Sequence, residues 1–171
     1  IQKFLAFRTT SRPHNERVDL SDLIEMTLPL VAPFAGHHRV ELTFHPTGRD
    51  LILLGDRESL EDLLLNLWLN AIEAVAARPP DSRPRQVRTE LGRAGNRLRL
   101  VVADTGPGIS PAVAANLFEP FVSGKADGAG LGLAVAREIC VAHHGSIGWE
   151  RRGEQTLFVI ELPAEASGDT A

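Results

Sequence analysis

The stretch LLLNLWLNAIEAVA, residues 63–76, constrains the fold more than any other part of this 171-residue chain. Leucine, alanine, isoleucine, valine and tryptophan run on without a breaker, so a helix over 58–77 is predicted, with Asp56 placed to cap it. At about 100° per residue, Leu60, Leu63, Leu64, Leu67, Ala71, Ala74 and Val75 share one side, while Leu65, Leu69 and Ile72 fill much of the rest. A helix apolar nearly all round has to be buried, so the remaining elements must wrap it. Yet Asp62, Asn66, Asn70 and Glu73 lie in one stripe roughly 80° wide. Buried amides and carboxylates are costly without partners. Either neighbouring loops supply those partners, or a ligand or metal is held against the stripe.

The other segments define what surrounds that helix. Residues 18–35, VDLSDLIEMTLPLVAPFA, read as a short strand and then a helix capped by Ser21, with Pro29 and Pro33 expected to kink it or stop it early. RVELTFHP alternates like a strand, and LILLGD is a short buried one. RQVRTELGR and RLRLVVADTG flank the turn AGN as a hairpin. A short helix after GPGISP, a helix over 131–143, and the strands GSIGWERR and QTLFVIELP complete the order. Hairpins separated by helices predict a two-layer α/β sandwich, a mixed and mostly antiparallel sheet with three main helices on one face.

Composition narrows the function. A hydrophobic fraction of 43% supports one sizeable core, and a net charge of −4 gives no general attraction to nucleic acid or anionic membrane. Cys140 is the single cysteine, which excludes a disulfide framework and a cysteine-based zinc site; its apolar setting reads as a core thiol. With no signal peptide and no apolar run of membrane length, a cytosolic location is expected for the chain as it stands, compatible with a membrane-anchored parent protein. The opening IQKFLAF lacks Met and starts in mid-helix pattern, as in a piece of a larger protein.

Two glycine motifs carry further chemistry. VVADTGPGI runs a buried strand into Asp104, with Gly106 and Gly108 letting the backbone turn tightly and approach a ligand closely. An aspartate there can accept from an exocyclic amine, or simply cap an Asp-Gly turn. In GAGLGLAVAREI, Gly128, Gly130 and Gly132 lead straight into a helix, and backbone amides at a helix N-terminus suit a phosphate. A P-loop would need Gly at 119 and Ser or Thr at 126, where Glu119 and Ala126 stand. The dinucleotide fingerprint fails as well, because no third Gly falls three residues after a Gly-x-Gly pair.

Taken in order, NLWLNAIEA, DTGPGI, LFEPFVSGK and GAGLGLAVAREI, closed by HHGSI and TLFVIELP, resemble the ATP-binding catalytic domain of sensor histidine kinases, in the wider class that includes gyrase and the large heat-shock chaperone. The forms NAIEA and FEPFVSGK are most similar to the nitrogen-regulation branch. The resemblance spans residues 18–163 and implies ATP and Mg²⁺ as ligands. It implies that Asn70 binds the metal and that Asn66 supports metal or phosphates. Asp104 corresponds to the reader of the adenine amine, with Gly106, Gly108 and Ile109 beside it, and Thr156 lies near the adenine although Gln155 replaces the usual Gly. Gly128, Gly130, Leu131, Gly132 and Leu133 correspond to the triphosphate loop. Phe118 and Phe121 correspond to the hydrophobic box under a lid, and Lys125 to a phosphate contact.

Related ATPases that transfer phosphate to water carry a Glu where this chain has Asn66, so the resemblance implies another acceptor. In the family that acceptor is a histidine on a preceding helical hairpin, and none of the six histidines here has that setting. Residues 1–17 are therefore expected to be the end of the hairpin and a linker, 18–163 the catalytic domain, and 164–171 a disordered tail. The implied partners are the hairpin of a homodimeric parent kinase and a response regulator receiver domain, with no nucleic acid. An ATP-sensing pseudokinase or an anti-sigma-type serine kinase of the same fold is the alternative. The arginines at 78, 83, 85, 88, 93, 97 and 99 lack interleaved aromatics and read as a solvated loop and hairpin face, and Trp68 and Trp149 as packing.

Overall fold

The structure is a computed structural model that describes residues 15–79, 83–122 and 130–166. In chain order its elements are β1 (Glu16–Asp19), α1 (Leu20–His37), β2 (Glu41–Thr47), β3 (Ile52–Gly55), α2 (Arg57–Ala76), β4 (Gln86–Ala94), β5 (Arg97–Asp104), α3 (Pro111–Ala114), α4 (Gly132–Ala142), β6 (Ser146–Arg152) and β7 (Gln155–Pro163). Five strands form one sheet in the order β2-β4-β5-β7-β6, with β2 and β4 parallel and the other pairs antiparallel. The hairpin expected around AGN is present, and the last two strands form a second antiparallel pair. A small ribbon of β1 and β3 stands apart from the sheet, a pairing that sequence alone does not reveal.

Register explains why the helices take one face. Across the sheet, Phe44, Thr89, Val102, Phe158 and Trp149 are direct neighbours, as are Leu91, Leu100, Ile160 and Ile147. Opposed residues in a sheet point to the same side, so these rows make one apolar face. Against it lie α1, α2 and α4, with α2 between the other two. Leu60, Leu63, Leu64, Leu67, Trp68, Ala71, Ile72 and Val75 of α2 are all buried. Burying a Leu or Ile side chain stabilises by roughly 1.5–3 kcal/mol, so α2 is the principal apolar contribution to the core. The indole N–H of Trp68 is satisfied within that core by donating to Thr89 Oγ1 at 2.9 Å.

Two details of α1 differ from expectation. Its N-cap is Asp19, whose Oδ1 accepts from the N–H of Ser21 at 2.9 Å and of Asp22 at 3.3 Å, so the helix begins before Ser21. Pro29 and Pro33 lie inside the helix and do not end it. They are four residues apart and both lie on the exposed face. Beyond β7, Ala164 and Glu165 are still tied to the fold: Ala164 N–H donates to Asn96 O, Glu165 N–H to Ile52 O, and Arg17 pairs with the Glu165 carboxylate at 2.7 Å. That pair holds the Glu165 carboxyl below the usual carboxylate range. The hairpin end and most of the linker proposed for residues 1–17, and the tail from 167 on, lie outside the described residues.

Candidate functional site

Midway along α2 the polar stripe meets the start of α4. Asn66 and Asn70 are half-buried, one turn apart, with Asp62 and Glu73 exposed beside them. The amide nitrogen of Asn66 donates back to Asp62 O at 2.8 Å, which leaves its carbonyl oxygen directed forward. That oxygen stands 3.0 Å from where a Cβ on Gly132 would be. Any larger residue at 132 would crowd the amide, so glycine there keeps the first turn of α4 open to α2. Leu131 occupies the N-cap position and has no polar side chain to satisfy the first amides of α4. The result is a helix N-terminus with an amide oxygen facing it, which suits an anion and a hard cation together.

The second cluster lies where β5 ends. Asp104 and Thr156 are direct partners between β5 and β7, and each is only 2% exposed. Asp104 Oδ1 accepts from Gly106 N–H at 2.8 Å, folding the chain sharply back. A Cβ on Gly106 would come within 2.6 Å of that oxygen and 3.0 Å of the Ala74 backbone, so the loop rests directly on α2. Gly108 has φ +93°, a conformation that disfavours side-chain-bearing residues. Ile109 and Leu133 are half-buried and pack against the main core, holding both loops to the scaffold.

Two arginines that the sequence does not single out complete this end. Arg78 is 3% exposed, not part of a solvated face: it donates to Thr105 O at 2.6 Å, Arg83 O at 2.8 Å and Pro84 O at 3.2 Å. It thereby fixes the loop carrying Asp104 and Gly106 to the loop after α2. Its acceptors are backbone carbonyls, two in its own loop and one in the loop at Thr105, which leave no side-chain signature. Arg151 on β6 donates to Thr156 Oγ1 at 2.8 Å and to Gly106 O at 3.2 Å. Alternation in SIGWERR does carry a signal for it, since Ile147, Trp149 and Arg151 share the helix-covered face. Of the other arginines, Arg83 pairs with Glu154 at 3.0 Å and Arg88 with Glu90 at 3.1 Å, while half-buried Arg85 donates to Arg78 O at 2.8 Å and half-buried Arg93 to Asp50 O at 3.1 Å and Glu165 O at 2.9 Å, so the expected solvated face holds only in part.

Between the two clusters runs the segment anticipated as a lid. Phe118 is half-buried, edge-on to Phe158 with ring centroids 6.4 Å apart. Phe121 is 79% exposed and has φ +65°, so the structure does not bring it into the site. Its N–H donates to Gly130 O at 3.0 Å, which ties together the two ends of the segment. Gly130 has φ +66°, and a Cβ there would lie 2.7 Å from Val122 O, so this closure also requires glycine. Lys125 and Gly128 lie outside the described residues. No group of three or more His, Cys, Asp or Glu side chains able to hold a metal occurs among the described residues. A cation at Asn66 and Asn70 would therefore take its remaining oxygens from ligand and water, the habit of Mg²⁺. Among the described residues, no helix is long and apolar enough to cross a membrane.

Comparison with known proteins places this arrangement. Residues 55–166 match the family model described as histidine kinase-, DNA gyrase B- and HSP90-like ATPase. The chain is 41% identical over its full length to the C4-dicarboxylate transport sensor protein DctS of Rhodobacter capsulatus, of which it spans 25%. Among solved structures, the catalytic domain of histidine kinase ThkA superposes with a TM-score of 0.77 at 27% identity, covering 88% of this chain and 95% of that one. Full-length ShkA in complex with AMPPNP gives a TM-score of 0.77 at 29% identity, covering 93% of this chain and 33% of that one. The chain belongs to the histidine kinase-, DNA gyrase B- and HSP90-like ATPase family, as a catalytic domain of the sensor histidine kinase type.

Proposed function

We propose that this domain binds Mg-ATP between α2 and α4 and donates the γ-phosphate to a histidine on a preceding helical hairpin of its parent kinase, from which a response regulator receiver domain takes it. The observation that carries the reading is the approach of Asn66 Oδ1 to Gly132 at the start of α4. It puts an oxygen ligand and a set of helix-terminal amides at one place, as a metal-bound triphosphate requires. Asn70, one turn along, is the metal ligand and Asn66 its support; the cation, when bound, neutralises charge on the phosphate oxygens. Asp104 accepts from the adenine amine, with Thr156 beside it. Gly106 and Gly108 let the backbone approach the base. Gly130, Leu131 and Gly132 present backbone amides to the phosphates, a role to which the family resemblance also assigns Lys125 and Gly128. Neither Asn66 nor Asn70 is a general base, so water is not activated and the phosphate is kept for the histidine.

A calorimetric titration of the chain with ATP, with and without Mg²⁺, tests this reading. Binding that tightens with Mg²⁺ is expected, and Asn70→Asp is expected to remove the metal dependence while the thermal midpoint stays within a few degrees. Wild-type affinity in that variant would take Asn70 out of the site. Absence of any ATP binding would sink the proposal.

A further inference from the structure

Asp104, Thr156 and Arg151 are consecutive cross-strand neighbours on β5, β7 and β6. Directly opposed residues share a face, so the three form a row from the buried centre of the sheet to its edge. Arg151 is exposed as a residue, yet its guanidinium turns inward to Thr156 Oγ1 at 2.8 Å and Gly106 O at 3.2 Å. A Cβ on Gly108 would stand 3.2 Å from the same Nη1, so the glycine leaves room that the guanidinium uses. The next residue behaves differently: Arg152 spends its charge on Glu150, at 2.7 Å on the outer side of the strand.

We propose that Arg151 is a specificity-determining positioning residue, which orients the Thr156 hydroxyl and thereby sets the site for adenine over guanine. The inference rests on the assignment of the Asp104 cluster to the nucleotide base. A guanidinium only donates, so the hydroxyl oxygen of Thr156 accepts from it. One of its lone pairs is then occupied, and the adjacent positive charge makes the oxygen a poorer acceptor and its hydrogen a better donor. Asp104, as a carboxylate, only accepts. The pair thus offers a ligand one acceptor and one donor, side by side. Adenine presents the complement, an amine that donates and a ring nitrogen N1 that accepts. Guanine presents a carbonyl and an N1–H, which mismatch both. Sites built around such polar groups discriminate strongly, because the wrong ligand leaves them without partners. Arg151 touches neither base nor phosphate in this scheme; it acts through Thr156.

The experiment measures dissociation constants of the chain for ATP, purine riboside triphosphate and GTP, with Arg151→Met and Arg151→Lys. Purine riboside keeps the N1 acceptor and lacks the amine, so it reports the Thr156 contact without Asp104. Arg151→Met is expected to weaken ATP and purine riboside triphosphate by roughly fivefold, the loss of one ordinary hydrogen bond, and to change GTP by less than about twofold. Arg151→Lys, which keeps a donor and the charge, is expected to recover most of the ATP preference. An unchanged ATP-to-GTP ratio in Arg151→Met, or an equal loss for all three nucleotides, would overturn the proposal. If the Met variant fails to fold, Arg151→Gln is read by the same ratio. Asp104→Asn serves as the control for the underlying site: full ATP affinity in that variant would refute the base assignment and this inference with it. A loss there beside an indifferent Arg151 would refute the inference alone.

Discussion

Cys140 has no exposed surface and lies on the inner side of α4. Burial pushes its thiol up from the ordinary 9.0 to about 12, because the charged thiolate loses its hydration there. The folded state therefore favours the neutral thiol. Its contribution to stability is present at neutral pH and is lost as pH rises from 9.0 towards about 12. Alkylation by iodoacetamide at pH 8 is expected to be slow in the native protein and fast in urea; rapid native labelling, read by mass spectrometry, would contradict this burial. At the same scale the sequence was legible where a residue type has one strong habit. Asn66, Asp104, Gly106 and Gly132 stand out because amides in an apolar helix, an acid at a strand end and glycines before a helix all need a reason. Arg78 and Arg151 did not stand out, since arginine is ordinarily a surface residue and each reaches one backbone carbonyl of the distant loop at 105–106.

Between elements, one side chain fastens α4 to the start of α2. His143, at the C-cap of α4, donates from Nδ1 to Ile139 O at 2.8 Å, so its Nε2 is an acceptor and receives the Asp56 N–H at 3.0 Å. Asp56 is itself the N-cap of α2, its Oδ1 accepting from Ser59 N–H at 2.8 Å. Gly55 has no room for a side chain, because a Cβ there would meet His143 Cδ2 at 2.6 Å. His143→Ala is expected to cost about 1–2 kcal/mol, one hydrogen bond plus a polar group left partly buried, measured by urea unfolding. A change within experimental error would show that water replaces the ring without loss. Helix existence was readable from periodicity, and the hairpin around AGN from its turn. The ends were less so: Asp19 caps α1 from an extended backbone at the end of β1, and the two prolines sit in mid-helix on its exposed face.

For the molecule as a whole, the chain spans a quarter of the length of DctS, and the proposed phosphotransfer calls for a histidine on another segment. Supplied in trans with the histidine-bearing hairpin of its parent and labelled ATP, it is expected to form an acid-labile, base-stable phosphoprotein on the hairpin, and Asn70→Asp none. ATP binding without any label would favour an ATP-sensing module instead. Pattern along the chain was enough to determine an α/β sandwich around one apolar helix and to mark the stripe and the glycine loops as chemistry, because burial and backbone freedom leave periodic and residue-specific traces. It did not determine that β2 would pair parallel to β4, that β1 and β3 would leave the sheet, or that Asp104, Thr156 and Arg151 would stand in one row. Those are decided by register between segments up to some fifty residues apart, and register is set by how side chains from separate elements fill one core. Only the tertiary structure brings those residues within hydrogen-bonding reach.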